Sequence, residues 1–120
     1  MTLDTGALIG IERRRKRTMT LIAEARLRGH QITVPTPVVV EWWRDQEGLA
    51  RRTLDGFVIE QLTEEVARIA GVALKGLQGP SATDAVVMAS AASRGDVVLT
   101  SDFDDLDLLR SVFPVTVLRV

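Results

Sequence analysis

Four acidic residues are the positions in this chain most able to carry out chemistry, because each is expected where a strand gives way to a helix. They are Asp4, Glu41, Asp84 and Asp102. Carboxylates gathered in one place repel each other, by roughly 1 kcal/mol for a pair about 4 Å apart in water and about 4 kcal/mol at an effective dielectric constant near 20. A hard divalent cation with oxygen ligands relieves that repulsion. The pattern therefore predicts metal-assisted cleavage of a phosphodiester.

The elements that must position these acids alternate between strand and helix. Strands are predicted at Leu3 and at 31–34, 57–59, 96–99 and 115–120. Helices are predicted from Thr5 and over 18–27, 38–44, 49–54, 63–77, 81–93 and 102–112. This alternation predicts an α/β fold in which helices cover both faces of a parallel sheet. The carboxyl ends of such strands share one edge, where ligands bind.

Composition limits what kind of metal site is possible. The chain has 120 residues with no cysteine and one histidine, so a metal site must use oxygen ligands. We expect a single domain spanning residues 1–120, with enough length for a hydrophobic core. No apolar stretch approaches the length of a membrane span and no signal peptide is evident, so we expect a cytoplasmic protein without membrane association.

Each acid also has a simpler structural interpretation. Ser81 and Asp84 have the spacing of a helix capping box, and aspartate at position 102 is common at the start of a helix. Asp4 could be a simple helix N-cap, and Glu41 could lie on the surface of an amphipathic helix. Asp4-Thr5-Gly6 matches the catalytic triplet of aspartic proteases, but that chemistry needs two such carboxylates in a β-rich fold, and this sequence predicts a helix after the triplet.

Two further features have no place in the acidic pattern. Trp42 and Trp43 are the only tryptophans, and because adjacent helical residues cannot face the same core, we expect at least one at an interface with a partner or a second subunit. Residues 1–30 hold seven Lys/Arg against three acids. A basic run within them could be a solvated helix face or a site for RNA phosphates: Arg13, Arg14, Arg15, Lys16 and Arg17.

Taken together, the motifs resemble those of the PIN-domain family, in particular the VapC toxins of bacterial toxin–antitoxin pairs. The matching stretches are LDTGALI (3–9), VPTPVVVEWWR (34–44), ATDAVVMASAASRGDVVLTSDFDDL (82–106) and VTVLRV (115–120). Residues 49–80 carry no recognisable motif. The resemblance implies a three-layer α/β/α sandwich with a parallel sheet of about five strands.

The resemblance also implies an activity: a Mg²⁺- or Mn²⁺-dependent endoribonuclease with a small VapB-like antitoxin as partner and RNA as substrate. Its catalytic residues would be Asp4, Glu41, Asp84 and Asp102. From the carboxylate chemistry we expect Asp4, Asp84 and Asp102 to be the metal ligands, and Glu41 to act as a base or outer ligand. Supporting roles would fall to Thr5, Thr100, Ser101 and Asp105, and we expect a homodimer.

The alternative is a catalytically inactive PIN-like or receiver-like module that binds protein. A phosphoacceptor receiver also clusters acids at strand ends and binds Mg²⁺. It needs a lysine after a late strand, however, and the only lysines are Lys16 and Lys75.

Overall fold

Strand and helix alternate from Thr2 to Arg119 in the computed structural model, which describes residues 1–120. The five strands are β1 (Thr2–Leu3), β2 (Thr33–Pro35), β3 (Val58–Glu60), β4 (Val98–Thr100) and β5 (Val117–Arg119). The six helices are α1 (Thr5–Glu12), α2 (Lys16–Leu27), α3 (Thr36–Trp42), α4 (Glu64–Ala73), α5 (Ala82–Arg94) and α6 (Phe103–Leu109). A 3₁₀ turn covers Gly48–Arg52.

All strand pairs are parallel, and the strands lie in the order β3-β2-β1-β4-β5. This confirms the predicted α/β fold with a five-stranded parallel sheet. From β1 the chain builds outwards through β2 and β3 on one side, and then places β4 and β5 on the other. The order reverses between β1 and β4, and such a switch point leaves a crevice at the carboxyl ends of the two strands.

The three central strands are buried along their whole length. Every residue of β1, β2 and β4 is buried. Because successive strand side chains point to opposite faces, helices must cover both faces of the sheet, which gives the three predicted layers. Helix α5 packs against β1, β2 and β4, and α1 packs against β1 and β4. The shortest strand, β1, is thus held in the middle of the sheet.

Helix α5 is the most deeply buried helix, with seven consecutive buried residues from Ala85 to Ala91. Its small side chains allow close packing against the sheet and against α4. Ser81 caps the amino end, and Gly95 ends the helix at φ +67°, a left-handed conformation that glycine adopts without steric cost.

The sequence analysis predicted more helix than the structure contains. The helix expected at 49–54 is instead a 3₁₀ turn with no buried residue, so no packing favours a longer helix there. Helix α4 ends at Ala73 rather than near residue 77, ahead of Gly76 at φ +77°. None of the helices has both the length and the apolar composition needed to cross a membrane.

The two tryptophans have different environments. Trp42 lies in the core, 4% exposed, and its Nε1 donates a hydrogen bond to Oε2 of Glu12 at 2.7 Å. Trp43 is half-buried at the end of α3, with the guanidinium of Arg51 5.8 Å from its ring centroid. A subunit interface at the tryptophans would therefore have to involve Trp43.

Candidate functional site

Asp4 lies at the switch point, directly after β1, and forms the N-cap of α1. Its Oδ1 accepts a hydrogen bond from the Ala7 amide at 2.9 Å, and its Oδ2 accepts one from the Thr100 hydroxyl. The residue is only 5% exposed. Burial raises the pKa of Asp4 from 3.8 to about 6, although the bonds from Thr100 and Ala7 oppose the shift and the charges of Asp84 and Asp102 add to it.

Thr100 joins the two loops that flank the switch point. It is the last residue of β4 and is fully buried. Besides donating to Asp4, its Oγ1 accepts a hydrogen bond from the Asp102 amide at 2.8 Å. The start of α1 and the loop leading into α6 are therefore connected through one hydroxyl group.

Gly6 allows these two loops to pack closely. A Cβ atom built at Gly6 would lie 1.8 Å from Oγ of Ser101, 2.7 Å from its Cβ and 3.0 Å from its backbone nitrogen. Any larger residue would collide with the chain beyond β4, so glycine at this position determines how near α1 approaches Ser101.

Three carboxylates come together near the buried residues Asp4 and Thr100. They belong to Asp84, Asp102 and Asp105, which we call the acid cluster. One oxygen of each lies within 4.8 Å of the others. Burial raises the pKa of Asp84, partly opposed by hydrogen bonds from Ser81, with further upward contributions from the charges of Asp105 and Glu41. The pKa of Asp102 is also raised, by burial first and then by the charges of Asp105 and Asp84.

Glu41 faces the same site from α3. It is exposed, and its Oε1 accepts a hydrogen bond from the Thr5 hydroxyl at 2.6 Å. Its charge makes a small contribution to the raised pKa of Asp84. Thr5 therefore orients an exposed carboxylate beside the acid cluster.

Two of the four acids do not lie where a strand gives way to a helix. Asp4 and Asp102 do follow strands, but Glu41 lies in the last turn of α3 and Asp84 in the first turn of α5, after a connection from α4. Both lie inside the helices predicted at 38–44 and 81–93, so only the expectation that all four acids mark strand ends was wrong.

The simple capping interpretation holds for Asp84, as it does for the N-cap Asp4, but not for Asp102. Ser81 and Asp84 form a complete capping box: Ser81 Oγ accepts from the Asp84 amide at 3.1 Å, and Asp84 Oδ2 accepts from the Ser81 amide at 2.8 Å. Asp102 occupies the N-cap position of α6, but its side chain makes no capping hydrogen bond. Helix capping therefore does not explain the Asp102 carboxylate.

The donors present suit a hard cation. The side chains described there supply carboxylate and hydroxyl oxygens, and the chain has no cysteine. Oxygen ligands are those preferred by Mg²⁺ and Mn²⁺. Sequence reasoning gave Asp105 only a supporting role. Its i,i+3 spacing from Asp102 was the signal for a closer role, because residues three apart share a helix face.

The basic run lies at the opposite end of α1. Residues 13–17 are all exposed and span the junction between α1 and α2. Since α1 rises 1.5 Å per residue, the run begins about 13 Å from Asp4 along the helix axis. Arg14 borders a groove of about 340 Å³ that Arg26 and Arg52 also line, a convergence that sequence spacing could not reveal.

No family model and no curated protein matches the sequence. Solved structures, in contrast, match over most of the chain. A chain in the crystal structure of VapBC2 from Rickettsia felis, bound to a DNA fragment from its promoter, has a TM-score of 0.73 at 12% identity, covering 99% of this chain and 97% of that one.

Two further solved structures also share the fold of this chain. The structure of FitAB bound to an IR36 DNA fragment gives a TM-score of 0.69 at 19% identity, covering 99% of this chain and 94% of that one. A toxin–antitoxin complex from Klebsiella pneumoniae gives 0.63 at 18% identity, covering 87% and 88%. At these identities the likeness is one of fold: the chain has the α/β fold found in these three solved structures.

Proposed function

We propose that this chain is a single PIN-type domain acting as a Mg²⁺- or Mn²⁺-dependent endoribonuclease, the toxin of a toxin–antitoxin pair. The observation that carries the proposal is the convergence of Asp84, Asp102 and Asp105 at the switch point, beside the buried Asp4. The position of these carboxylates at the carboxyl ends of the strands and their oxygen donors both suit a cation that binds phosphate.

In this proposal, Asp84, Asp102 and Asp105 would hold the cation. Asp4, which the sequence predicted as a ligand, is not one of these three and adds a buried negative charge. When bound, the cation lowers the pKa of a water molecule and stabilises negative charge on the phosphate. Asp4 is kept in place by the Ala7 amide and Thr100.

Glu41 has a separate role, because its carboxylate is exposed and oriented by Thr5. It is the group placed to accept a proton at the mouth of the site or to orient a water molecule there. Ser101 follows β4 beside the site, and the absence of a side chain at Gly6 lets it pack against α1.

The partner follows from the fold comparison. Among the similar solved structures, one is a toxin–antitoxin complex and the other two, VapBC2 and FitAB, are bound to DNA, which supports a small VapB-like antitoxin as partner. RNA is the substrate, the cytoplasm is the site of action, and the active species is a homodimer. Expression without the antitoxin is then expected to arrest growth, and Asp84→Asn to relieve the arrest.

The test is cleavage of structured RNA by purified, partner-free protein in Mg²⁺, in Mn²⁺ and in EDTA. We expect cleavage only with the cation, and its loss in Asp84→Asn and Asp102→Asn. The matched control is Asp107→Asn, also on α6 but exposed and paired with Arg110 at 3.0 Å. Cleavage that persists in EDTA would refute the metal mechanism. A wild-type protein that binds Mn²⁺ but leaves RNA intact would favour the inactive binding module.

A further inference from the structure

The turn that leads into α5 contacts two of the three residues of the acid cluster. Ser81 holds one oxygen of Asp84 through the capping box. Two residues earlier, Gly79 passes beside Asp105: a Cβ built on Gly79 would lie 3.1 Å from Oδ1 of Asp105 and 3.6 Å from Leu108. Gly79 has φ +111°, a conformation in which other residues are strained.

The capping box uses only one of the two oxygens of the Asp84 carboxylate. Its Oδ2 accepts the Ser81 amide at 2.8 Å, whereas Oδ1 accepts no hydrogen bond from the protein. A capping box normally uses Glu or Gln at this position. Aspartate is shorter by one methylene, so the same bond holds its carboxylate close to the first turn of the helix and leaves the second oxygen unpaired.

We propose that the turn Gly79–Ser81 is a positioning element for the cation site, an inference that rests on the proposed function. The backbone amide of Ser81 holds Oδ2 of Asp84 so that Oδ1 is presented to the cation. The Ser81 hydroxyl, by accepting the Asp84 amide, keeps that backbone amide in place, and Ser81→Ala removes this support. The missing side chain at Gly79 leaves the Asp105 carboxylate free to approach the other two. Both effects arrange ligands before the cation arrives, and pre-organisation of this kind lowers the cost of binding.

The chain offers a matched control for each half of this proposal. Thr63 caps α4 in the ordinary way, its Oγ1 accepting the Val66 amide at 3.2 Å with no carboxylate in return. Gly76 also has a left-handed backbone, at φ +77°, but nothing lies within 4 Å of a Cβ built there. Thr63→Ala and Gly76→Ala therefore reproduce the loss of a cap and the backbone strain without touching the acid cluster.

The experiment measures Mn²⁺ affinity by calorimetry or electron paramagnetic resonance for Ser81→Ala, Gly79→Ala, Thr63→Ala and Gly76→Ala. Unfolding in chelator is measured in parallel to confirm that each variant folds. We expect Ser81→Ala and Gly79→Ala to weaken Mn²⁺ binding by roughly 10–100-fold, the range typical of residues that orient metal ligands. The two controls should match wild type, and Ser81→Thr, which keeps the hydroxyl acceptor, should restore affinity.

The results distinguish a failure of the positioning role of the turn from a failure of the proposed cation site. If Ser81→Ala and Gly79→Ala bind Mn²⁺ as tightly as their controls, the turn is an ordinary helix start and this inference fails, while the proposed function stands. If wild-type protein binds no Mn²⁺, the cation site itself is wrong, and both claims fall together.

Discussion

The hydroxyl of Thr100 donates a hydrogen bond to Oδ2 of Asp4, and so joins the end of β4 to the start of α1 beneath the acid cluster. A hydroxyl has one proton to donate, and here that proton is used on a carboxylate. Because the same oxygen accepts the Asp102 amide at 2.8 Å, the bond direction is fixed from both sides. The arrangement favours an ionised Asp4, against the cost of its burial.

Replacing Thr100 with valine should therefore destabilise the metal-free protein. The side-chain shape is kept, but the Asp102 amide loses its acceptor and Asp4 loses a donor, so we expect a loss of about 1–3 kcal/mol. Thr100→Ser keeps the hydroxyl and should lose only about 1 kcal/mol, for one buried methyl group. Urea unfolding in chelator at neutral pH compares the two. Equal losses in both variants would show that the hydroxyl is unimportant.

The raised pKa of Asp4 gives the metal-free protein an unusual pH dependence. Folded Asp4 holds its proton up to about pH 6, whereas its ordinary pKa is 3.8. The folded state thus binds more protons in this window, so the contribution of Asp4 to stability is fully present below pH 3.8 and is lost as pH rises through about 6. The shift corresponds to about 3 kcal/mol for this buried group.

Thermal melts in EDTA between pH 4.5 and 7.5 test this dependence. The melting temperature should fall with pH, because Asp84 and Asp102 shift in the same direction, and Asp4→Asn should flatten the fall. Mn²⁺ should reverse the trend, since it binds only ionised carboxylates. A melting temperature that rises with pH in EDTA would contradict the burial argument.

Asp102→Asn should stabilise the metal-free protein, by about 1 kcal/mol or less for an exposed group, because it removes repulsion from Asp84 and Asp105. It should also reduce the stabilisation that Mn²⁺ provides. Since Asp102 makes no capping bond, Asp102→Ala should behave like the Asn variant. Melts of both variants with chelator and with Mn²⁺ test this. If alanine alone destabilises, by the 0.5–2 kcal/mol typical of a lost cap, Asp102 belongs to the helix rather than to the site.

The fold could be predicted from the sequence because the patterns that indicate each strand and helix are local. Strand and helix alternate with clear breaks, such as Gly95 after the Ala-rich helix, and that alternation is enough to predict a parallel sheet. Asp4 and Asp102 could be placed as well, since Asp4 comes directly after β1 and Asp102 follows β4 with one residue between.

The finer geometry of the site depends on contacts between distant residues, and no periodic pattern records these. The Thr5–Glu41 bond spans 36 positions and the Thr100–Asp4 bond spans 96. The residue pattern singled out Asp4 and Glu41, and the family resemblance implied Thr5 and Thr100. Which oxygen accepts from which donor, however, follows only from the packing of α1 against β4 and α3. The role of Gly6 was likewise hidden, since a glycine after a helix cap has no distinctive signal.

Gly6→Ala should disturb the site by forcing α1 away from Ser101. The added Cβ would meet the Ser101 backbone nitrogen as well as its side chain, so rotation of Ser101 alone cannot relieve the clash. We expect a loss of about 1–3 kcal/mol, typical of overpacking. Adding Ser101→Gly removes two of the three clashing atoms and should recover part of the loss. A double-mutant cycle by urea unfolding measures this coupling, and additive effects would show that the two residues do not interact.

The basic run offers the last prediction, that residues 13–17 contact RNA phosphates. Arg14, Arg15 and Lys16 are exposed and form no ion pair. Replacing all three with Gln should weaken RNA binding and flatten its dependence on salt, because each lost phosphate contact lowers the slope by about 0.7 for a single strand. Binding is measured in EDTA, so that cleavage cannot interfere.

The matched control for this triple variant removes the same charge elsewhere, by changing Arg68, Lys75 and Arg110 to Gln. All three residues lie on or beside α4 and α6, away from the junction of α1 and α2. If RNA contacts the basic run, only the first variant changes the salt slope. If both variants weaken binding equally, the effect is one of net charge, and if neither does, the run is an ordinary solvated surface.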